Sequence, residues 1–256
     1  MSELTVQNVS FRRADRWIIQ RANFTVPSGE IVALIGINGV GKTTLLKLLA
    51  GLWQPTHGNI WLKQRLLQHF PRRELATHLS FVAHNTTVPF TFTVQEAVWM
   101  GRYPYQIKWQ AATERDKHAV LVAMQQTDII HLKSRDLTTL SNGERQRVWI
   151  ARSLATEADI ILLDEPTANL DIAHSLEIMQ LCQNLAQQGK TVVFSTHDLN
   201  LAAQYSQTLC VLQRGEVVAM GAPNAVLTDE LLRQVFDVQV ERLLASSGKE
   251  VLWFGQ

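Results

Sequence analysis

Gly36-Ile37-Asn38-Gly39-Val40-Gly41-Lys42-Thr43-Thr44 fits the phosphate-binding pattern G-x-x-x-x-G-K-[ST]. Its flanks fit the same chemistry. Ile31-Val32-Ala33-Leu34-Ile35 reads as a buried parallel strand, and Thr44-Leu45-Leu46-Lys47-Leu48-Leu49-Ala50 as a helix that stops at Gly51. Glycines at 36, 39 and 41 let the backbone curl so that several N–H groups point inward at a polyphosphate. The helix N-terminus adds its positive end, Lys42 reaches the outer phosphates, and the Thr43 hydroxyl suits Mg²⁺. Such a loop between strand and helix predicts a nucleoside triphosphate site.

That loop alone leaves kinase, GTPase, helicase and transport motor open. Leu140-Ser141-Asn142-Gly143-Glu144-Arg145-Gln146-Arg147 precedes a helix running through Val148 to Leu154. Ser141 and Glu144 have capping-box spacing and can simply start a helix. A helix N-terminus with a hydroxyl and a glycine equally suits a γ-phosphate. The stretch resembles the L-S-G-G-Q or L-S-x-G-E signature of the ATP-binding cassette (ABC) family. Downstream, Asp159-Ile160-Ile161-Leu162-Leu163-Asp164-Glu165-Pro166 is an apolar strand ending in two acids, which emerge at its carboxyl edge beside the phosphate loop. Asp164 is placed to hold Mg²⁺ and Glu165 to orient or deprotonate the attacking water. Ala168-Asn169-Leu170-Asp171 is similar to the family's D-loop. His197, ending the apolar run Thr191-Val192-Val193-Phe194-Ser195-Thr196, matches its switch histidine.

The resemblance covers essentially the whole chain and implies an α/β, P-loop NTPase (RecA-like) fold. A mostly parallel core sheet is expected with an N-terminal antiparallel β subdomain and an inserted α-helical subdomain. The expected division is 1–84 and 156–221 for the nucleotide-binding core, 85–155 for the helical subdomain with the signature, and 222–256 for a C-terminal helix and hairpin. The implied cofactors are ATP and Mg²⁺. Nucleotide contacts fall on Gly36, Asn38, Gly39, Gly41, Lys42, Thr43, Thr44 and Asp164, with Thr43 and Asp164 on the metal and Glu165 and His197 catalytic. In this family one protomer's phosphate loop is closed by another's signature. The chain therefore carries two half-sites, and Ser141 and Gly143 serve a second copy of itself.

Composition sets limits. The 256 residues are 46% hydrophobic and 18% charged, which suits one globular unit with a sizeable core. A formal net charge of +1 gives no argument for nucleic acid as partner. Cys182 and Cys210 are isolated and fit small buried residues in a reducing compartment. Met1 to Ser10 alternates like a strand rather than a signal peptide, and no apolar run approaches the ~20 residues of a membrane helix, so a cytoplasmic location is expected. Strands are expected at Leu4 to Phe11, Phe24 to Val26, Asn59 to Leu62, Leu79 to Val82, Ile160 to Leu163 and Thr191 onward. Helices are expected at Val94 to Met100, Thr113 to Gln126, around His174 to Gln188 and at Asn224 to Val235. A hairpin of Val238 to Leu243 and Val251 to Phe254 turns about Ser247-Gly248.

Two departures from the family pattern stand out. Aligning Leu79-Ser80-Phe81-Val82-Ala83 puts His84 where cassettes carry the Q-loop glutamine, and an imidazole offers no amide carbonyl. The substitution is the preferred reading, making His84 a catalytic candidate, because Phe92-Thr93-Val94 follows in the expected register. Where the family sets an aromatic against adenine, the chain has Arg13, whose guanidinium plane can also stack on a base. Phe11 and Trp17 lie nearby.

Val88 to Tyr105 resembles the F-T-V-x-E-x-V-x-x-G-R-x-P stretch of importer ATPases serving iron–siderophores, haem and vitamin B12, as does the tail from Gly221-Ala222-Pro223 to Leu231-Leu232. Phe90, Phe92, Trp99, Tyr103 and Tyr105 are either core of the helical part or, where exposed together, a docking surface. The resemblance implies an ATP-hydrolysing importer subunit, lying at the inner face of the cell membrane against an integral membrane permease and served indirectly by a substrate-binding protein. The alternatives are an exporter, another importer class, or a regulatory ATP-binding protein with little turnover.

Overall fold

The computed structural model describes residues 4–84, 91–106, 111–244 and 250–255. The chain opens as an antiparallel hairpin of β1 (Leu4–Arg13) and β2 (Arg16–Val26), paired from Leu4↔Val26 to Arg13↔Arg16. Both strands outrun their expected apolar segments, because cross-strand hydrogen bonding carries the polar residues toward the tip along with the apolar ones. The phosphate-loop strand β3 (Ile31–Ile35) and helix α1 (Lys42–Leu49) follow. Next come β4 (His57–Leu62), β5 (Arg65–Leu66), α2 (Arg72–His78) and β6 (Leu79–Val82). The helical part holds α3 (Val94–Trp99), a 3-10 helix over Met100–Tyr105, α4 (Glu114–Gln126) and α5 (Asn142–Leu154). The chain returns through β7 (Ile160–Leu163), α6 (Ile172–Gln187), β8 (Thr191–Thr196), α7 (Leu199–Tyr205), β9 (Thr208–Gln213) and β10 (Glu216–Gly221). It ends with α8 (Pro223–Val226), α9 (Asp229–Phe236) and the hairpin β11 (Gln239–Leu244) and β12 (Glu250–Gly255).

One six-stranded sheet, in the order β10-β9-β3-β8-β7-β6, is parallel except for β10. A second, antiparallel sheet has the order β2-β1-β4-β5. The unbroken apolar run of β3 follows from this sandwiching. Ile31, Ala33 and Ile35 face the core shared with the helices, while Val32 and Leu34 face the core under the antiparallel sheet. Each fully buried Ile, Val or Leu side chain here stabilises the fold by ~1.5–3 kcal/mol. Strand order also builds the site. β8 lies between β3 and β7, with Ile35 opposite Thr196 and Leu163 opposite Phe194. The phosphate loop, Asp164-Glu165 and His197 therefore leave one sheet edge side by side.

The helices start where polar caps stand. Thr93, Thr113 and Ser141 each form a capping box with the acid three residues on, and Asp171 and Asp198 cap α6 and α7. The single tail helix expected over Asn224 to Val235 is two helices, because the Thr228 hydroxyl accepts from Leu231 N–H and starts α9 afresh. Strands β5, β9 and β10 and helices α2 and α7 were not foreseen. Phe90 and the Ser247-Gly248 tip lie outside the described residues. Both cysteines are buried, and burial pushes each thiol up to about 12, so neither is poised for thiolate chemistry.

Arg102 joins the helical part to the strand-β7 side. Only 1% exposed, it donates to Asp116 Oδ1 (2.9 Å), the Ala155 carbonyl (2.7 Å) and Glu157 Oε2 (2.8 Å). Its guanidinium lies 3.9 Å from the centre of the Tyr105 ring. Gly101 must be small here, since a Cβ would meet the Arg152 carbonyl oxygen at 2.2 Å. Arg102→Met leaves Asp116 and the Ala155 carbonyl without this donor and is expected to destabilise the protein by about 3 kcal/mol. Chemical denaturation of the two proteins checks this, and an unchanged midpoint would show that Arg102 is dispensable.

Candidate active site

The phosphate loop is held by close backbone approach from two sides. Gly36, Gly39 and Gly41 all have positive φ (153°, 77° and 116°). A Cβ at Gly36 would meet the Leu212 carbonyl oxygen at 2.5 Å, and one at Gly41 would meet Ile19 Cδ1 at 2.9 Å. The loop is thus pinned between the end of β9 and the inner residues of β2. Ile37, Asn38 and Gly39 form an exposed crest, while Lys42 is buried beneath it. The Lys42 ammonium donates to the carbonyls of Gly36 (2.8 Å) and Ile37 (3.2 Å). Burial lowers its pKa from the usual lysine value, opposed by the carboxylates of Glu165 and Asp164. Thr44, in the first turn of α1, is half-buried beside them.

Asp164 is 3% exposed and accepts at one oxygen from two hydroxyls, Thr43 Oγ1 (3.0 Å) and Ser195 Oγ (2.8 Å). Ser195 in turn accepts from the Glu165 N–H at 2.9 Å. It is wholly buried, and the β7–β8 register puts it level with Asp164. Sequence reading gave Ser195 no role; the signal was a hydroxyl at a fully buried strand position, where a polar partner is obligatory. Glu165 sits at φ 46°, in the left-handed region that non-glycine residues rarely enter. A carboxylate held in that turn is aimed by its backbone rather than by chance.

His84, at the turn after β6, lines one cleft of about 620 Å³ together with Glu165, Thr196 and His197. The same cleft runs on past Ala168, Asn169 and Ile172. The three predicted catalytic residues, Glu165, His84 and His197, therefore line one cleft. Ser141 and Gly143 do not line that cleft; they open α5, where Gly143 lies against His174 of α6. The Ser141 hydroxyl accepts from Glu144 N–H (3.2 Å), and the Glu144 carboxylate accepts from Ser141 N–H (2.8 Å). Those bonds depress the Glu144 pKa. The first-turn N–H groups of Asn142 and Gly143 have no partner within the helix, the arrangement that binds anions.

A family model for ABC transporters matches residues 19–168, more than half of the chain. The chain belongs to the ABC transporter family. The cassette is 41% identical over 223 residues to the ferric enterobactin transport ATP-binding protein FepC of Escherichia coli, covering 87% of this chain and 82% of that one. Among solved structures it is similar to a metal-chelate type ABC transporter in an inward-facing conformation, with TM-score 0.86, 31% identity and coverage of 100% and 97%. It also matches MJ0796, a bacterial ABC transporter cassette solved as a dimer, with TM-score 0.74, 28% identity and coverage of 86% and 98%. Like the family, the cassette binds and hydrolyses ATP.

Arg13 of the cassette has a neighbour that its sequence position did not suggest. Its guanidinium lies 5.7 Å from the Trp53 ring, which stacks on Phe11 at 5.2 Å and also carries Lys47 at 4.7 Å. Trp17, 40% exposed, stands next to Ile18 and Ile19, the β2 residues that abut Gly41. Thr43 and Asp164 offer hard oxygen donors 3.0 Å apart, a pair that fits Mg²⁺. Among the described residues no group of three or more His, Cys, Asp and Glu side chains is gathered to hold a metal unaided. A magnesium ion at this pair would take its remaining ligands from nucleotide and water.

Proposed function

We propose that the cassette is the ATP-hydrolysing subunit of an importer for a metal chelate, either a ferric siderophore or haem, or for cobalamin. It works at the inner face of the cell membrane, two copies head to tail beneath an integral permease, with a substrate-binding protein delivering the ligand. The whole-length match to a metal-chelate type transporter carries this reading. Surface chemistry supports the permease contact. Tyr103 is 67% and Leu52 59% exposed, and α2 links them: its Arg73 covers Tyr103 while its Arg72 and Leu75 share a cleft with Leu52. No helix among the described residues is long and apolar enough to cross a membrane itself. Ile172 (81%) and Leu176 (45%), exposed on α6 at the rim of the Glu165 cleft, suit burial against a second copy. The division into 1–84 with 156–221, 85–155, and 222–256 is part of the same reading.

In this mechanism Gly36, Asn38, Gly39, Gly41 and Thr44 wrap the phosphates, and Arg13 lies toward the base. Lys42 neutralises the outer phosphates. Thr43 and Asp164 would hold Mg²⁺, which would supply positive charge against the phosphates. Glu165 orients the attacking water and accepts its proton, and His197 contacts the γ-phosphate side of the cleft. Ser141 and Gly143 of the second copy complete the site. His84 stands beside Glu165 at the entrance to the segment that leads to the helical part, and links hydrolysis to the permease. In the reconstituted complex, His84→Ala is expected to lose about fivefold or more of the permease-dependent stimulation, and His84→Gln to keep it. Equal stimulation in all three proteins would make His84 a loop residue only.

The transport reading is tested by uptake in cells. Deleting the cassette should abolish uptake of labelled ferric siderophore, haem or cobalamin, restored by the wild type and not by Glu165→Gln. Normal uptake of all three without it would overturn the reading.

A further inference from the structure

Gly143 is helical, and no unusual φ demands a glycine there. What demands it is His174. A Cβ on Gly143 would lie 2.8 Å from Cδ2 and 3.0 Å from Cγ of the imidazole, so the ring fills the space over the signature backbone. The ring is oriented from its other side. Asp171 Oδ1 accepts from His174 N–H and from its Nδ1, both at 2.8 Å. The same Asp171 caps α6 and ends the D-loop, which is itself tightly turned: Ala168 N–H donates to the Glu165 carbonyl at 3.1 Å. Further along, Arg147 of α5 pairs with Glu177 of α6, so the two helices stay in register beyond the first contact. A continuous strap thus runs from Glu165 through Asp171 and His174 to Gly143.

We propose that His174 is a positioning residue that couples the chain's two half-sites, by seating the signature at Gly143 against the D-loop that leaves Glu165. The inference rests on the head-to-tail reading. There, Glu165 serves the site on the chain's own ATP, whereas Gly143 serves the site on its partner's. A displacement at either end of the strap is transmitted to the other, because the ring is clamped between Asp171 and the Gly143 backbone. The physical element is a packed contact with a hydrogen-bonded anchor, a kind of contact that can carry coupling between sites.

Mixed dimers of a Lys42→Ala chain with a Ser141→Arg chain retain one composite site, built from the second chain's phosphate loop and the first chain's signature. His174→Ala is placed on one chain or on the other, and ATPase activity is read against the unmodified mixture, with thermal unfolding of each protein as a check on folding. The expected result is a loss of about tenfold with either placement. His174→Phe, which keeps the ring but not the bond to Asp171, should fall between. In homogeneous preparations the losses from Gly143→Ala and His174→Ala should be less than multiplicative, since both disturb one contact. A loss confined to the chain that donates the signature would overturn the coupling and leave His174 as local helix packing. Independent, multiplicative losses would overturn the contact itself. If the starting mixture is no more active than either chain alone, the shared-site reading fails first and the inference falls with it.

Discussion

Glu165→Gln is expected to bind ATP as the wild type does while turnover falls about 10²–10³-fold, the usual cost of losing one proton-accepting or electrostatic group. The substitution is well isolated. The backbone at φ 46° is equally strained for either side chain, and the bond from the residue's N–H to Ser195 does not involve the carboxylate. Asp164 keeps both of its hydroxyl partners. What changes is one oxygen, which becomes an amide that donates to water instead of accepting its proton. ATP, bound and not consumed, should then hold two chains together. Phosphate release, nucleotide binding and gel filtration with and without ATP measure the three parts separately. Phosphate release near the wild-type rate would remove Glu165 from the mechanism.

The parts of this site that were legible in the sequence are those in which one segment carries both the chemistry and the reason for its geometry. The phosphate loop needs Gly36 and Gly41 because β9 and β2 press on it, and Gly39 for its positive φ, and the spacing of the three is visible in one dimension. Asp164 and Glu165 follow an apolar run short enough to be a buried strand. Contacts between distant segments were not legible. Ser195 works because strand register sets it beside Asp164. Gly36 must be a glycine because of Leu212, on a strand that had not been anticipated. Nor was the approach of Arg13 to Trp53 legible, which the pairing of β1 with β2 and the end of α1 bring about.

Ser141 and Glu144 illustrate a different limit. Capping box and phosphate-binding signature use the same spacing, and in the folded protomer the capping box is fully formed. Pattern and structure of one chain agree with a plain helix start. In the head-to-tail reading proposed above, the first-turn N–H groups of Asn142 and Gly143 acquire a target when another chain brings one. The same reading would have a second copy cover the exposed apolar residues of α6, which in one chain are ordinary surface.

Ser141→Arg separates the two roles of that residue. As a helix cap alone, losing the hydroxyl costs about 1 kcal/mol of stability, and the exposed position has room for the longer side chain. As part of a composite site, the guanidinium occupies the position of the partner's γ-phosphate and disrupts its in-line geometry, with a loss of about 10² in activity or more. Lys42→Ala should be as inactive for the opposite reason, since its own phosphate loop fails while its signature remains intact. Mixed in equal amounts, random pairing makes about half of the dimers heterodimers, each with one undamaged site. The mixture should hydrolyse ATP measurably faster than either preparation alone, without reaching the wild-type rate. Full activity of Ser141→Arg by itself would leave Ser141 as a helix cap. Two inactive parents whose mixture is no better would confine each active site to a single chain.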